Sequence, residues 1–160
     1  MEDIDNISRV LDRLTLDTLT AMEEYIRLKL EMEKCIIDGK CGLAATRYIM
    51  GQNRVSNMQL PTCDSEEFEA TVVVNSGGNP YKSYDLEVRK PTQDCKLQDP
   101  IKWFGYLVPQ TLYLAQAKFR QVLSWLVKVA NVQEMIVYNC DKIEQLRALK
   151  NNIVNIEEVK

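Results

Sequence analysis

Apolar or small residues at Ile4, Ile7, Leu11, Leu14, Thr18, Ala21, Tyr25, Leu28, Met32 and Cys35 follow one another in alternating steps of three and four. This is the seam of a helix that packs lengthwise on another helix. Neither Gly nor Pro interrupts the pattern before Asp38-Gly39, where a glycine free to turn left-handed is a stop signal. One helix is therefore predicted from Asp3 to Ile37, about 50 Å long at 1.5 Å per residue. Leu19, Met22, Ile26 and Leu30 widen the apolar face beyond a two-stranded seam and predict a second neighbour, from a bundle or a bound partner. Past Gly39 and Gly42, the run Leu43 to Met50 is rich in helix formers and ends at Gly51. It is expected as a separate short helix folded back on the first, with its Tyr and Met side chains turned inward.

From Gln52 to Glu67 the chain is polar, contains Pro61 and lacks a sustained period, which predicts a loop. Phe68, Ala70, Val72 and Val74 then alternate with more polar positions, and Tyr84, Leu86 and Val88 do so again after Ser76-Gly77-Gly78-Asn79-Pro80. Two β-prone runs around a glycine-rich turn predict a hairpin. Two strands alone are marginal in water, so this hairpin must lean on a helix, bind a partner or be only partly ordered. Lys90 to Gln98 reads as a linker.

In the last third, Asp99 can cap a short helical turn, Pro100 suits its first position and Gly105 ends it. Pro109 bars Val108 from the helical region and opens a new helix. Along it Leu112, Ala115, Phe119, Val122, Leu126, Val129, Gln133, Ile136, Cys140 and Ile143 keep heptad spacing, before a phase slip to Leu146, Leu149, Ile153 and Ile156. Two long helices around a small β element pair naturally as an antiparallel hairpin. The predicted fold is mainly α: a helical hairpin or coiled coil with a short helix and a small β-hairpin insertion. It forms one domain over 1–160, with a helical block at 3–51, an insertion at 52–98, and a corner plus long helix at 99–160.

Composition narrows the function. A chain of 160 residues with a formal charge of −3 has no basic field for phosphates, so nucleic-acid binding is disfavoured and a protein partner is expected. The five cysteines, Cys35, Cys41, Cys63, Cys95 and Cys140, contain no CxxC pair, which fits a reducing compartment better than a disulfide framework or a zinc site. Met1-Glu2-Asp3-Ile4-Asp5 does not resemble a secretory signal, and no apolar run is long enough to span a bilayer; any membrane association is expected through a partner or a surface contact. Histidine is absent, which removes the commonest general base and most transition-metal ligand sets; no catalytic residue, cofactor or metal is expected.

The remaining candidates have plain structural explanations. Glu23 and Arg27 are spaced as an i,i+4 pair on a solvated face. Arg47 and Tyr48 beside Gly51 could meet a ligand, but inward packing explains them as well. Ser76-Gly77-Gly78 lacks the Lys and following helix of a phosphate loop and is a turn. Val122 to Val132 lacks the basic face of an interfacial helix, so burial is expected. Trp125 lies off the seam, where it could cover the hairpin or face a partner. Trp103-Phe104-Gly105 with Leu107-Val108-Pro109 concentrates large apolar side chains between two helix breakers, either as a plug for the hairpin end or as a protein-binding anchor.

The string Asp99-Pro100-Ile101-Lys102-Trp103-Phe104-Gly105-Tyr106-Leu107-Val108-Pro109-Gln110, continuing through Leu112, Ala115-Gln116, Phe119 and Gln133, resembles the C-terminal signature of the coiled-coil-domain family of V-ATPase assembly factors. Leu14 to Leu19, Met22-Glu23-Glu24 and Leu43-Ala44 to Arg47-Tyr48-Ile49-Met50-Gly51 are similar to that family's first helical block. The two blocks span roughly half the chain in the same order, and family members vary across the stretch between them. The resemblance implies a non-enzymatic factor that joins a transmembrane assembly protein at the endoplasmic reticulum and transiently meets membrane-sector pump subunits. It reaches the membrane only through that partner and supports endolysosomal acidification. It also implies a cytoplasmic location peripheral to the endoplasmic reticulum, with secretory vesicles, endosomes and lysosomes as further sites. The protein-binding residues expected on this basis are Asp99, Pro100, Trp103, Phe104, Gly105, Leu107, Val108, Pro109 and Gln116. A generic coiled-coil tether in membrane trafficking is the alternative; it needs a long parallel dimer, whereas two matched seams in one chain predict an intramolecular pair.

Overall fold

Two helices of 49 residues each, α1 (Glu2–Met50) and α2 (Gln110–Glu158), run side by side for most of their length. At 1.5 Å per residue each is about 74 Å long. The computed structural model describes residues 2–78, 80–89 and 97–158. The helices are antiparallel: Thr46 meets Thr111, Gly42 meets Ala115 and Gly39 meets Phe119, while Thr15 to Met22 lies against Cys140 to Arg147. The mainly α hairpin with a small β insertion is the fold class expected.

The first helix does not stop at Gly39. It runs unbroken through Gly39 and Gly42, so Leu43–Met50 forms its last two turns and not a helix folded back on it. A Cβ at Gly39 would stand 2.9 Å from the Phe119 ring, and one at Gly42 would stand 3.0 Å from the Ala115 Cβ and 3.3 Å from the Thr111 carbonyl oxygen. These glycines bring the helices together, and that packing offsets the roughly 1 kcal/mol that each glycine costs within a helix. Gly51, with φ 90°, is the true terminus and donates its N–H to the Arg47 carbonyl at 2.9 Å.

Along the predicted seam of α1, Thr18, Ala21, Leu28 and Cys35 are buried, and Ile4, Ile7, Leu11, Leu14, Tyr25 and Met32 are half-buried. Thr18 donates its hydroxyl to the Leu14 carbonyl at 2.7 Å, so a polar side chain sits in the seam without an orphaned group. Leu112, Ala115, Val129 and Ile143 are the buried partners on α2. Leu126 is exposed despite its heptad position, and Val127 is buried instead. Val127, Asn131, Glu134 and Tyr138 share one face of α2, and the β hairpin lies on that face. The second stripe of α1 is left exposed: Leu19, Met22, Ile26 and Leu30 all stand out to solvent with Leu16 and Ile37 beside them, although Leu19 and Met22 border α2 across a groove.

Ion pairs decorate the helices, one of them across their interface. Lys118 bonds Asp38 across the interface at 2.8 Å, and that hydrogen bond holds the ammonium above its ordinary lysine value. Arg27 bonds Glu24, three residues back, and not Glu23. The i,i+3 geometry lets the guanidinium engage both carboxylate oxygens.

Strands β1 (Val72–Gly77) and β2 (Ser83–Val88) pair antiparallel from Val72↔Val88 to Gly77↔Ser83. The hairpin leans on a helix, as its marginal size demands. Asn131 of α2 accepts from the Tyr84 N–H at 2.6 Å and donates to the Tyr84 carbonyl at 2.9 Å, so one side chain completes both backbone bonds of a strand residue. The Tyr84 hydroxyl donates to Glu134 at 3.3 Å, and Tyr81 meets Tyr138 with ring centroids 5.6 Å apart. A parallel bridge between Glu69 and Leu97 closes the insertion. Most of the expected linker, residues 90–96 with Cys95, lies outside the described residues.

Candidate protein-binding surface

The corner before α2 is built as its residues dictate. Asp99 caps a 3-10 turn over Pro100–Phe104 by accepting from the Ile101 N–H at 3.2 Å, and Gly105 ends the turn with φ 122°. Ile101 is buried beneath it. The same Asp99 oxygen accepts from Gln116 Nε2 at 2.6 Å, with Arg120 at 3.9 Å, which ties the turn to the first part of α2. Asp99 and Gln116 thus hold the corner in place.

Trp103 stands edge-on to Phe68 with centroids 5.3 Å apart and an interplanar angle of 67°. Its indole N–H donates to Gln98 at 3.4 Å. The pair forms a wall between a groove of about 400 Å³, lined further by Val72, Pro100, Phe119 and Leu123, and a smaller cavity of about 220 Å³ beside Leu60 and Pro61. Trp103 is half-buried against the insertion and also lines an open apolar groove. Pro100, Trp103 and Gln116 all line this groove. Phe104, Gly105, Val108 and Pro109 are half-buried along the corner, while Leu107 is turned out to solvent.

Tyr48 does not pack inward: it is exposed, because the last turn of α1 extends past the end of its partner helix and has nothing to cover it. Arg47 instead donates Nε to the Val55 carbonyl at 2.9 Å and pins the following loop. Trp125 is half-buried, with Lys128 Nζ 4.5 Å from its ring centroid and its indole N–H buried without an acceptor among the described residues. Phe68 was read only as a strand residue, and nothing in its period marked it as the partner of Trp103. Asn131 is a polar residue inside the apolar run from Val122 to Val132, and its side chain serves the backbone of Tyr84. Among the described residues no three acidic, cysteine or histidine side chains converge as a metal site, and no helix is long and apolar enough to cross a membrane.

No family model matches the chain. It is similar over most of its length to curated proteins named vacuolar ATPase assembly protein VMA22. The protein of that name from Danio rerio is 45% identical over 168 residues, covering 78% of this chain and 80% of the relative. Those from Homo sapiens and Mus musculus are 28% and 29% identical over 170 residues, covering 92% of this chain and 93% of each relative.

Proposed function

The chain belongs to the VMA22 family of vacuolar ATPase assembly proteins, and on that premise we propose that it is a non-catalytic assembly factor for the membrane sector of the vacuolar proton-translocating ATPase. It works from the cytoplasmic face of the endoplasmic reticulum together with a transmembrane partner, and so supports endolysosomal acidification. The observation that carries this reading is the similarity to assembly proteins over most of both chains.

The geometry suits the task. Two paired helices about 74 Å long form a stiff arm, and the groove beside Trp103 and Phe68 offers an aromatic anchor point of the kind that dominates interface energetics. The transmembrane partner docks at this corner. The exposed stripe from Leu16 to Ile37 covers apolar surfaces of incoming pump subunits until their own neighbours arrive.

Affinity purification of tagged protein from mildly solubilised membranes tests the proposal, with Trp103→Ala as the control. Recovery of an endoplasmic-reticulum membrane protein with membrane-sector pump subunits is expected, lost in Trp103→Ala while the thermal melt is largely kept. Equal loss of capture and of folding would leave Trp103 as a plug only. Recovery of neither kind of protein, with a symmetric dimer in sedimentation, would favour a generic tether.

A further inference from the structure

We propose that the outer edge of β1 receives an extended segment of the protein partner as a third strand, with alternate side chains of that segment filling the groove beside Trp103. This rests on the reading that the partner docks at the corner, and it names the conformation in which the partner is bound. The hairpin register decides which backbone groups are free. Arg89 donates its N–H to the Thr71 carbonyl at 2.9 Å, so Thr71 and, by alternation, Val73, Asn75 and Gly77 turn their backbone groups toward β2. Val72, Val74 and Ser76 turn theirs the other way, and among the described residues these N–H and C=O groups have no backbone partner. The outward edge of β2 is placed differently, since Asn131 of α2 takes both backbone groups of Tyr84. Natural sheets guard a free edge with lysine, proline or a bulge. β1 has none of these: Ala70 to Gly78 carries no charge and no proline, and its pairing with β2 runs without interruption from Val72 to Gly77.

Backbone geometry chooses the occupant. Outward N–H and C=O groups at every second residue, about 7 Å apart, are complemented by another extended backbone. A helix spends its backbone bonds internally and offers none along its length. The apolar groove of about 400 Å³ continues from this edge, with Phe68, Ala70 and Val72 on the strand side and Trp103, Phe119 and Leu123 on the side of the corner and α2. Val88, Arg89 and Leu97 flank Thr71 and Val72 around a different cavity, so the groove opens on the unpaired side of β1. A second copy of the chain is the poorer fit. Antiparallel pairing of β1 with its copy about Val74 sets Ser76 opposite Val72 and Gly78 opposite Ala70, which brings a hydroxyl and a bare glycine to the groove and leaves it unfilled. A partner strand with apolar residues at alternate positions satisfies the edge and the groove together.

Random twelve-residue peptides displayed on phage and selected on the full-length protein are the probe. Enriched peptides should alternate apolar with polar residues and lack proline across the pairing stretch. Methylating every second backbone nitrogen of an enriched synthetic peptide should weaken binding about tenfold in one of the two phases and leave it unchanged in the other. In hydrogen exchange the amides of Val72, Val74 and Ser76 should exchange fast in the free protein while Val73 and Asn75 are protected, and the bound peptide should protect the first three. Val74→Pro removes the central outward donor without touching a bond to β2, so it should weaken peptide binding about tenfold and keep the protection of Val73 and Asn75. Should that variant lose the hairpin, the methylated peptides decide. Selection of no peptide, binding as a helix, equal effects of methylation in both phases, or binding indifferent to Val74→Pro in an intact hairpin would overturn the proposal. Capture from solubilised membranes separates it from the corner reading: Val74→Pro should lose the membrane protein as Trp103→Ala does. Capture kept in Val74→Pro yet lost in Trp103→Ala would overturn the third strand and leave the docking corner standing.

Discussion

The two ends of the helical hairpin are packed on different principles. Near the joined end, Gly39, Gly42 and Thr46 face Phe119, Ala115 and Thr111, and a Cβ at Gly42 would lie 3.4 Å from the Ala115 Cα. One helix surrenders its side chains so that the other can approach to its backbone. At the far end, Thr15, Thr18, Leu19 and Met22 meet Cys140, Ile143, Glu144 and Arg147 around an open groove of about 270 Å³. Leu19 and Met22 stand exposed at the edge of that groove. A two-helix coil has no third element to fill such a groove, so it is closed only where residues are small enough to dispense with filling. The close approach of one helix to the backbone of the other is therefore a feature of the joined end.

Gly42→Val should break this contrast most severely. The added side chain meets backbone on the facing helix and not the tip of a flexible chain, so the helices must separate. A loss of about 3 kcal/mol is expected, read from chemical denaturation followed by helical circular dichroism. Unchanged stability would mean that the helices are not in backbone contact.

A smaller and more discriminating effect is expected at Gly39, where the obstacle is one ring. Gly39→Ala should cost about 1 kcal/mol in the natural chain, because the new methyl meets Phe119 at 2.9 Å. In a Phe119→Leu background the same change should stabilise by up to about 1 kcal/mol, because alanine is the better helix former once the ring is gone. The double-mutant cycle reads the change of sign, and a cost of equal size in both backgrounds would exonerate the ring.

These two glycines also mark where the sequence misled. The seam of α1, the existence of the β hairpin, the Asp99 cap and the stop at Gly105 are written in local spacing, and each appears in the structure. Gly39 and Gly42 carry the same local signature as a helix stop, and only the residues opposite them, some 70 to 80 positions away in the chain, turn that signature into close packing. The fate of Leu126 was equally illegible. Which face of α2 is covered depends on where the hairpin settles, and Asn131 decides that through bonds to the backbone of Tyr84, not through hydrophobic period. Of the candidate surface, the Trp-Phe-Gly corner was visible as an apolar cluster between two breakers. Its partner Phe68 and the groove between them arise only when the insertion folds back.

The open end should give the smallest effect, and for that reason the sharpest check on the comparison. Leu19 and Met22 are large, apolar and in helical register with the seam, so a count of hydrophobic residues would assign them to the core. Leu19→Ser and Met22→Ser should nonetheless each cost less than about 1 kcal/mol, because Leu19 is 57% and Met22 41% exposed at the edge of an open groove, so truncating them leaves no enclosed cavity. Thermal melts at several protein concentrations provide the reading. A loss well above that size which grows with concentration would show that the stripe is covered by a second copy in solution, since association stabilises by mass action. A small loss independent of concentration would leave the stripe free for another protein, at no cost to the helical pair that presents it.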